Sequence, residues 1–175
     1  MTMSKPDTGD FPKPTTITGG CLCGSIRYRV DFPEDHDFLR SSGSCQCTQC
    51  RRSTGTLVFV PHTVPLRCLT YVTPVDTLKN YAATPGFQRG FCANCGSFLY
   101  WRDESRDDLA LAVGCVDEEV LVGASRDGSG SFGFALANLR GDHMWCENEI
   151  KGVTDRMVGP ECGVKWARDR DGVRM

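Results

Sequence analysis

The chain has 175 residues, a formal net charge of −2 and 40% hydrophobic residues. That length suits one domain, with a core that buries roughly 70% of the surface exposed on unfolding. The charge gives no general attraction to polyanions, so nucleic acid is not expected as a partner, and no run reaches the ~18 apolar residues of a membrane helix.

Residues 1–14 are polar and rich in Pro and Asp, and read as a disordered arm. They lack the basic and apolar regions of a secretory signal, so a cytosolic location with reduced thiols is expected. Nineteen glycines and nine prolines suit short strands and frequent turns. Alternation over Ser25–Asp31 predicts a half-buried strand. Thr56–Val60 is a β-branched and aromatic run that Pro61 should end. Further strands are predicted at Cys68–Val72, Thr77–Ala82, Gly86–Phe91, Ser97–Arg102 and Leu109–Val113. A helical turn should follow Cys47, and a short one should lie near Asp117–Leu121. Residues 123–133 read as a Gly- and Ser-rich loop, and 159–175 as a charged tail beyond a domain spanning 15–158. The class is mainly β.

Eleven cysteines is an odd number, poorly suited to a disulfide framework in a reducing compartment. Their spacing suits zinc. Cys92 and Cys95 frame a tight turn from which two sulfurs can chelate one ion, and Gly96 can take positive φ where the chain leaves it. Cys21 and Cys23, placed i and i+2 on a strand, can face one metal together. Those four would complete a closed tetrahedral site. Cys45, Cys47 and Cys50 put three thiols within six residues, enough for one ion and short of four ligands. Three protein ligands leave a position for water or a substrate thiol. His62 or Cys68 could instead close it, and spacing alone leaves open which cysteines share an ion. Arg51 and Arg52 follow the triad directly and could offset its negative charge or bind a substrate carboxylate. Of the other histidines, His36 reads as exposed and His143 as a satisfied structural residue. Cys68, Cys115, Cys146 and Cys162 stand alone and read as small buried hydrophobes.

Three stretches together resemble one family. They are Gly19-Gly20-Cys21-Leu22-Cys23-Gly24-Ser25-Ile26-Arg27-Tyr28, the run from Cys45 to Gly55, and Arg89-Gly90-Phe91-Cys92-Ala93-Asn94-Cys95-Gly96-Ser97. Val113–Glu118 is similar to the family's later Gly-x-x-Asp turn, and His143-Met144-Trp145 falls at its final strand. The family is that of the glutathione-dependent formaldehyde-activating enzymes, which includes the centromere-protein-V-like domains. The likeness spans roughly residues 15–150. It implies a β-tent fold of small antiparallel sheets with two zinc sites. It also implies the ligand sets: Cys21, Cys23, Cys92 and Cys95 for a structural Zn²⁺, and Cys45, Cys47 and Cys50 for a second Zn²⁺ with an open position. It implies a carbon–sulfur lyase-type activity on an adduct of glutathione, or another small thiol, with an aldehyde-like electrophile. Gln46 departs from the family's usual Cys-His-Cys and removes a titratable group beside the metal. The rival readings are a non-catalytic zinc-binding interaction module and a thiol redox protein using Cys92 and Cys95.

Overall fold

The computed structural model describes residues 11–124, 130–157, 162–170 and 172–175. Most of the expected N-terminal arm therefore lies outside the described residues. The strands in chain order are β1 (Thr16–Gly20), β2 (Arg27–Asp31), β3 (Ser44–Cys45), β4 (Pro61–Pro65), β5 (Leu69–Tyr71), β6 (Leu78–Thr84), β7 (Phe87–Cys92), β8 (Phe98–Asp103), β9 (Asp108–Ala112) and β10 (His143–Met144). Three short helices accompany them: α1 (Thr48–Thr54), α2 (Glu118–Leu121) and α3 (Gly133–Ala137). The protein is mainly β, as expected.

Two antiparallel sheets make the body. One has the order β1-β2-β5, the other β4-β9-β8-β7-β6. Apolar side chains from both meet in one buried cluster that includes Ile17, Tyr28, Val30, Val64, Leu99, Leu109 and Leu111. Each fully buried side chain of this kind contributes roughly 1.5–3 kcal/mol. Alternation along β1 and β2 sends Ile17, Tyr28 and Val30 inward. A third, two-stranded sheet pairs β3 with β10 in parallel, with His143 opposite Ser44 and Met144 opposite Cys45.

Some expectations shift. Thr56–Val60 forms no ladder of its own; Phe59 makes an isolated bridge to Cys45. The strand begins at Pro61 instead of ending there. β4 lies at a sheet edge, where a residue without an N–H costs no ladder bond. The loop expected over 123–133 gives way to α3 at its end, and residues 125–129 lie outside the described residues. Cys21 and Cys23 sit in the β1–β2 turn and not on a strand, because Cys21 N donates to Ile26 O at 2.9 Å and Gly24 N to Cys21 O at 3.0 Å.

The described part of the charged segment after residue 159 is hydrogen-bonded to the body. Trp166 N donates to His143 O at 2.9 Å, and Trp166 Nε1 to Asp142 Oδ1 at 2.8 Å. Lys165 pairs with Glu149 at 2.8 Å.

Candidate metal centres

Two groups of sulfurs converge. Cys21, Cys23, Cys92 and Cys95 form one, and Cys45, Cys47 and Cys50 the other; within each, all sulfurs lie within 4.8 Å of one another. Either group could hold a metal ion.

The four-cysteine group joins the β1–β2 turn to the β7–β8 turn. Gly96 takes φ +76° as the chain leaves the second turn, which gives Gly96 N its bond to Cys92 O at 2.8 Å. Leu22 faces solvent while its N–H reaches Ser97 Oγ at 3.0 Å. Ile26 N donates to Cys21 Sγ at 3.2 Å. The Ser97 hydroxyl and N–H hold the Cys95 thiol down to about 5, and the Ser25 hydroxyl lowers Cys23. Burial pushes Cys21 up to about 11. Arg27 clamps Asp117 at 2.8 and 2.5 Å, and Thr18 joins at 2.5 Å, so this hairpin is pinned to the turn after β9.

The triad is built where β3 runs into α1. Cys45 exchanges both backbone hydrogen bonds with Phe59, at 2.9 and 3.0 Å. Cys47 is the N-cap of α1, and its sulfur accepts from Cys50 N at 3.2 Å. Gly55 ends the helix with φ +71°, a left-handed cap that glycine adopts without strain. Hydrogen bonds from Cys45 and Cys50 hold Cys47 far below the ordinary thiol range. Its contact with Cys47 pushes Cys45 up to about 12. Contacts with Cys45 and Cys47 drive Cys50 higher still.

No fourth Cys, His, Asp or Glu joins this triad among the described residues. His62 is taken up elsewhere. Its Nδ1–H donates to Leu136 O at 3.1 Å. A neutral ring has one N–H, so its Nε2 accepts from His36 Nε2, 2.9 Å away. His36 is therefore not the exposed loop residue expected, but half-buried between Phe32 and Phe38. Cys68 packs against the main core. His143 is the satisfied residue expected: Nε2–H donates to Leu139 O at 2.8 Å and Nδ1 accepts from Ser44 Oγ at 2.8 Å. That bond locks the residue before Cys45 in place.

Arg51 and Arg52 take different positions. Arg51 Nε donates to Leu57 O at 2.8 Å, and Nη2 to Asn148 O at 2.8 Å and Gln46 Oε1 at 3.1 Å. It braces α1 against the loop before β4 and the segment after β10. Arg52 is exposed. Gln46 is fully buried, and its Nε2 has no partner. Arg89, not singled out from sequence, is buried beside α1 and donates to Gln49 Oε1. A lone arginine in Arg89-Gly90-Phe91 carries no local signal that β7 will place it against Gln49 of α1.

The model of the glutathione-dependent formaldehyde-activating enzymes matches residues 16–127. The chain belongs to this family. All seven clustered cysteines of this GFA chain fall within the match. A Halomonas elongata protein provisionally given the same family name is 31% identical over 108 residues, 53% of this chain and 60% of that protein. The alignment thus spans less than two thirds of that relative's length. A crystal structure of a Rhodobacter sphaeroides protein aligns with 23% identity and a TM-score of 0.49, covering 66% of this chain and 97% of that one. No helix among the described residues is long and apolar enough to cross a membrane.

Proposed function

We propose that this GFA chain is a zinc-dependent enzyme of the carbon–sulfur lyase type, acting on the adduct of glutathione or another small thiol with an aldehyde-like electrophile in the cytosol. The carrying observation is a triad of converged sulfurs with no fourth side-chain donor among the described residues. Soft sulfur donors in this number suit zinc, and four of them suit a closed structural site while three suit a catalytic one. Cys21, Cys23, Cys92 and Cys95 would hold the structural ion, and Cys45, Cys47 and Cys50 the other.

An ion at the triad supplies positive charge that favours the thiolate form of a thiol in the remaining position. The chain's own residues do the rest. The Phe59 bonds and the Ser44–His143 contact fix Cys45. Arg51 holds the start of α1. Arg52 is exposed on α1, where its charge could meet a substrate carboxylate. In the forward direction the thiol loses its proton, its sulfur bonds to the carbonyl carbon, and the carbonyl oxygen takes up a proton; the reverse sequence cleaves the adduct. Neither His62 nor His143 has a free ring nitrogen to move that proton, and Gln46 does not titrate. With an ion held by Cys45, Cys47 and Cys50, the metal site would supply the acidification of the thiol, and solvent would accept the proton.

Cys47→Ser tests this reading. It should cost about one of the two zinc equivalents per chain and abolish glutathione binding in calorimetry. Retention of both ions with unchanged thiol binding would remove the triad from function and favour the non-catalytic module.

A further inference from the structure

Arg89 is only 5% exposed, yet Nε and Nη1 have no hydrogen-bond partner. Nη2 donates to Gln49 Oε1, one residue before Cys50 on α1. A buried cation with unmade hydrogen bonds destabilises a fold unless an anion completes it. No carboxylate forms an ion pair with Arg89 among the described residues.

The strand register says what lies beside it. Arg89 stands opposite Trp101, and Trp101 opposite Ala110. Directly opposed residues share a sheet face. Phe87, two residues before Arg89, is on that face too, and its ring stacks on Trp101 with centroids 5.5 Å apart. Trp101 packs in the cluster that contains Cys45, Cys47 and Cys50. The arginine and the triad therefore occupy one side of the five-stranded sheet, joined by Gln49. Gln49 is itself exposed. A neutral amide is a weaker acceptor than a carboxylate, so an incoming acid can displace it from Arg89.

We propose that Arg89 anchors a carboxylate of the thiol whose sulfur sits at the triad. This deepens the thiol-site reading given above and rests on it. Gln49 is the cover that the carboxylate replaces, and the stacked Phe87 and Trp101 form an apolar wall beside the bound chain.

The test is calorimetric titration of the zinc-loaded protein with glutathione and with a glutathione diester whose carboxylates are both blocked. Wild-type protein should bind glutathione at least about tenfold more tightly than the diester, the effect of one charge-assisted contact. Arg89→Gln should remove most of that preference with zinc content unchanged. Gln49→Glu should do the same from an exposed helix position, because it offers Arg89 a carboxylate of the chain's own. If Arg89→Gln fails to fold, Gln49→Glu decides alone. Full preference retained in a folded variant, or absent from the wild type, overturns the anchor and leaves the thiol site standing. Wild-type protein that binds neither ligand sinks the thiol site and the anchor with it.

Discussion

Cys47 is the side chain on which the triad turns, since it caps α1 and its sulfur accepts from Cys50 N. It was readable because its partners lie two and three residues away. His62 was not. Its partners are His36 and Leu136 O, brought together only by folding. Burial pushes His62 down to about 3 and lowers His36 as well. The sign follows for His62: its ring stays neutral in the fold, while an unfolded histidine takes a proton below about 6.5. Its stabilising effect is complete above that value and is lost as pH falls toward 3. Urea unfolding at pH 7, 6, 5 and 4 should show a loss of up to about 1.4 kcal/mol per pH unit from the His62 ring. His62→Gln should be less stable at pH 7 but flatter by about one such slope. An unchanged slope would mean that His62 titrates normally in the native protein.

Among the elements, strands were legible where apolar alternation was local. β2, β6, β7, β8 and β9 all lie close to their expected places. β3 and β10, two residues each, exist only because their segments meet across the fold, and no local pattern announces them. The Cys21–Cys23 pair was expected on a strand, because i and i+2 share a face there. The β1–β2 turn achieves the same convergence by its own backbone bonds. That turn and the β7–β8 turn are joined by four sulfurs, so the ion they would hold ties two sheets together. Cys92→Ser should therefore lower the melting temperature by at least about 10 °C and weaken folding without zinc. Cys47→Ser, on a single local segment, should shift it by much less. Scanning calorimetry of the two zinc-loaded variants compares them directly, and equal shifts would contradict the division into structural and functional sites.

For the molecule as a whole, three cysteine motifs placed the chain in its family before any coordinate, and the mainly β class followed. What the motifs could not supply was the second surface of the five-stranded sheet. Its inner face fills the core with Val64, Leu109 and Leu111. Its other face carries Ala112, Trp101 and Arg89 toward the triad. That division depends on strand register, which sequence periodicity leaves undetermined between partners far apart in the chain. The enclosure of the triad is likewise a property of the whole fold, since any closing ligand would have to come from a distant segment. The most direct test is a crystal structure of the zinc-loaded protein soaked with glutathione. The predicted result is an ion on Cys45, Cys47 and Cys50 with the glutathione sulfur as its fourth ligand. A triad ion closed by a side chain of the same polypeptide, with glutathione elsewhere or absent, would contradict the account.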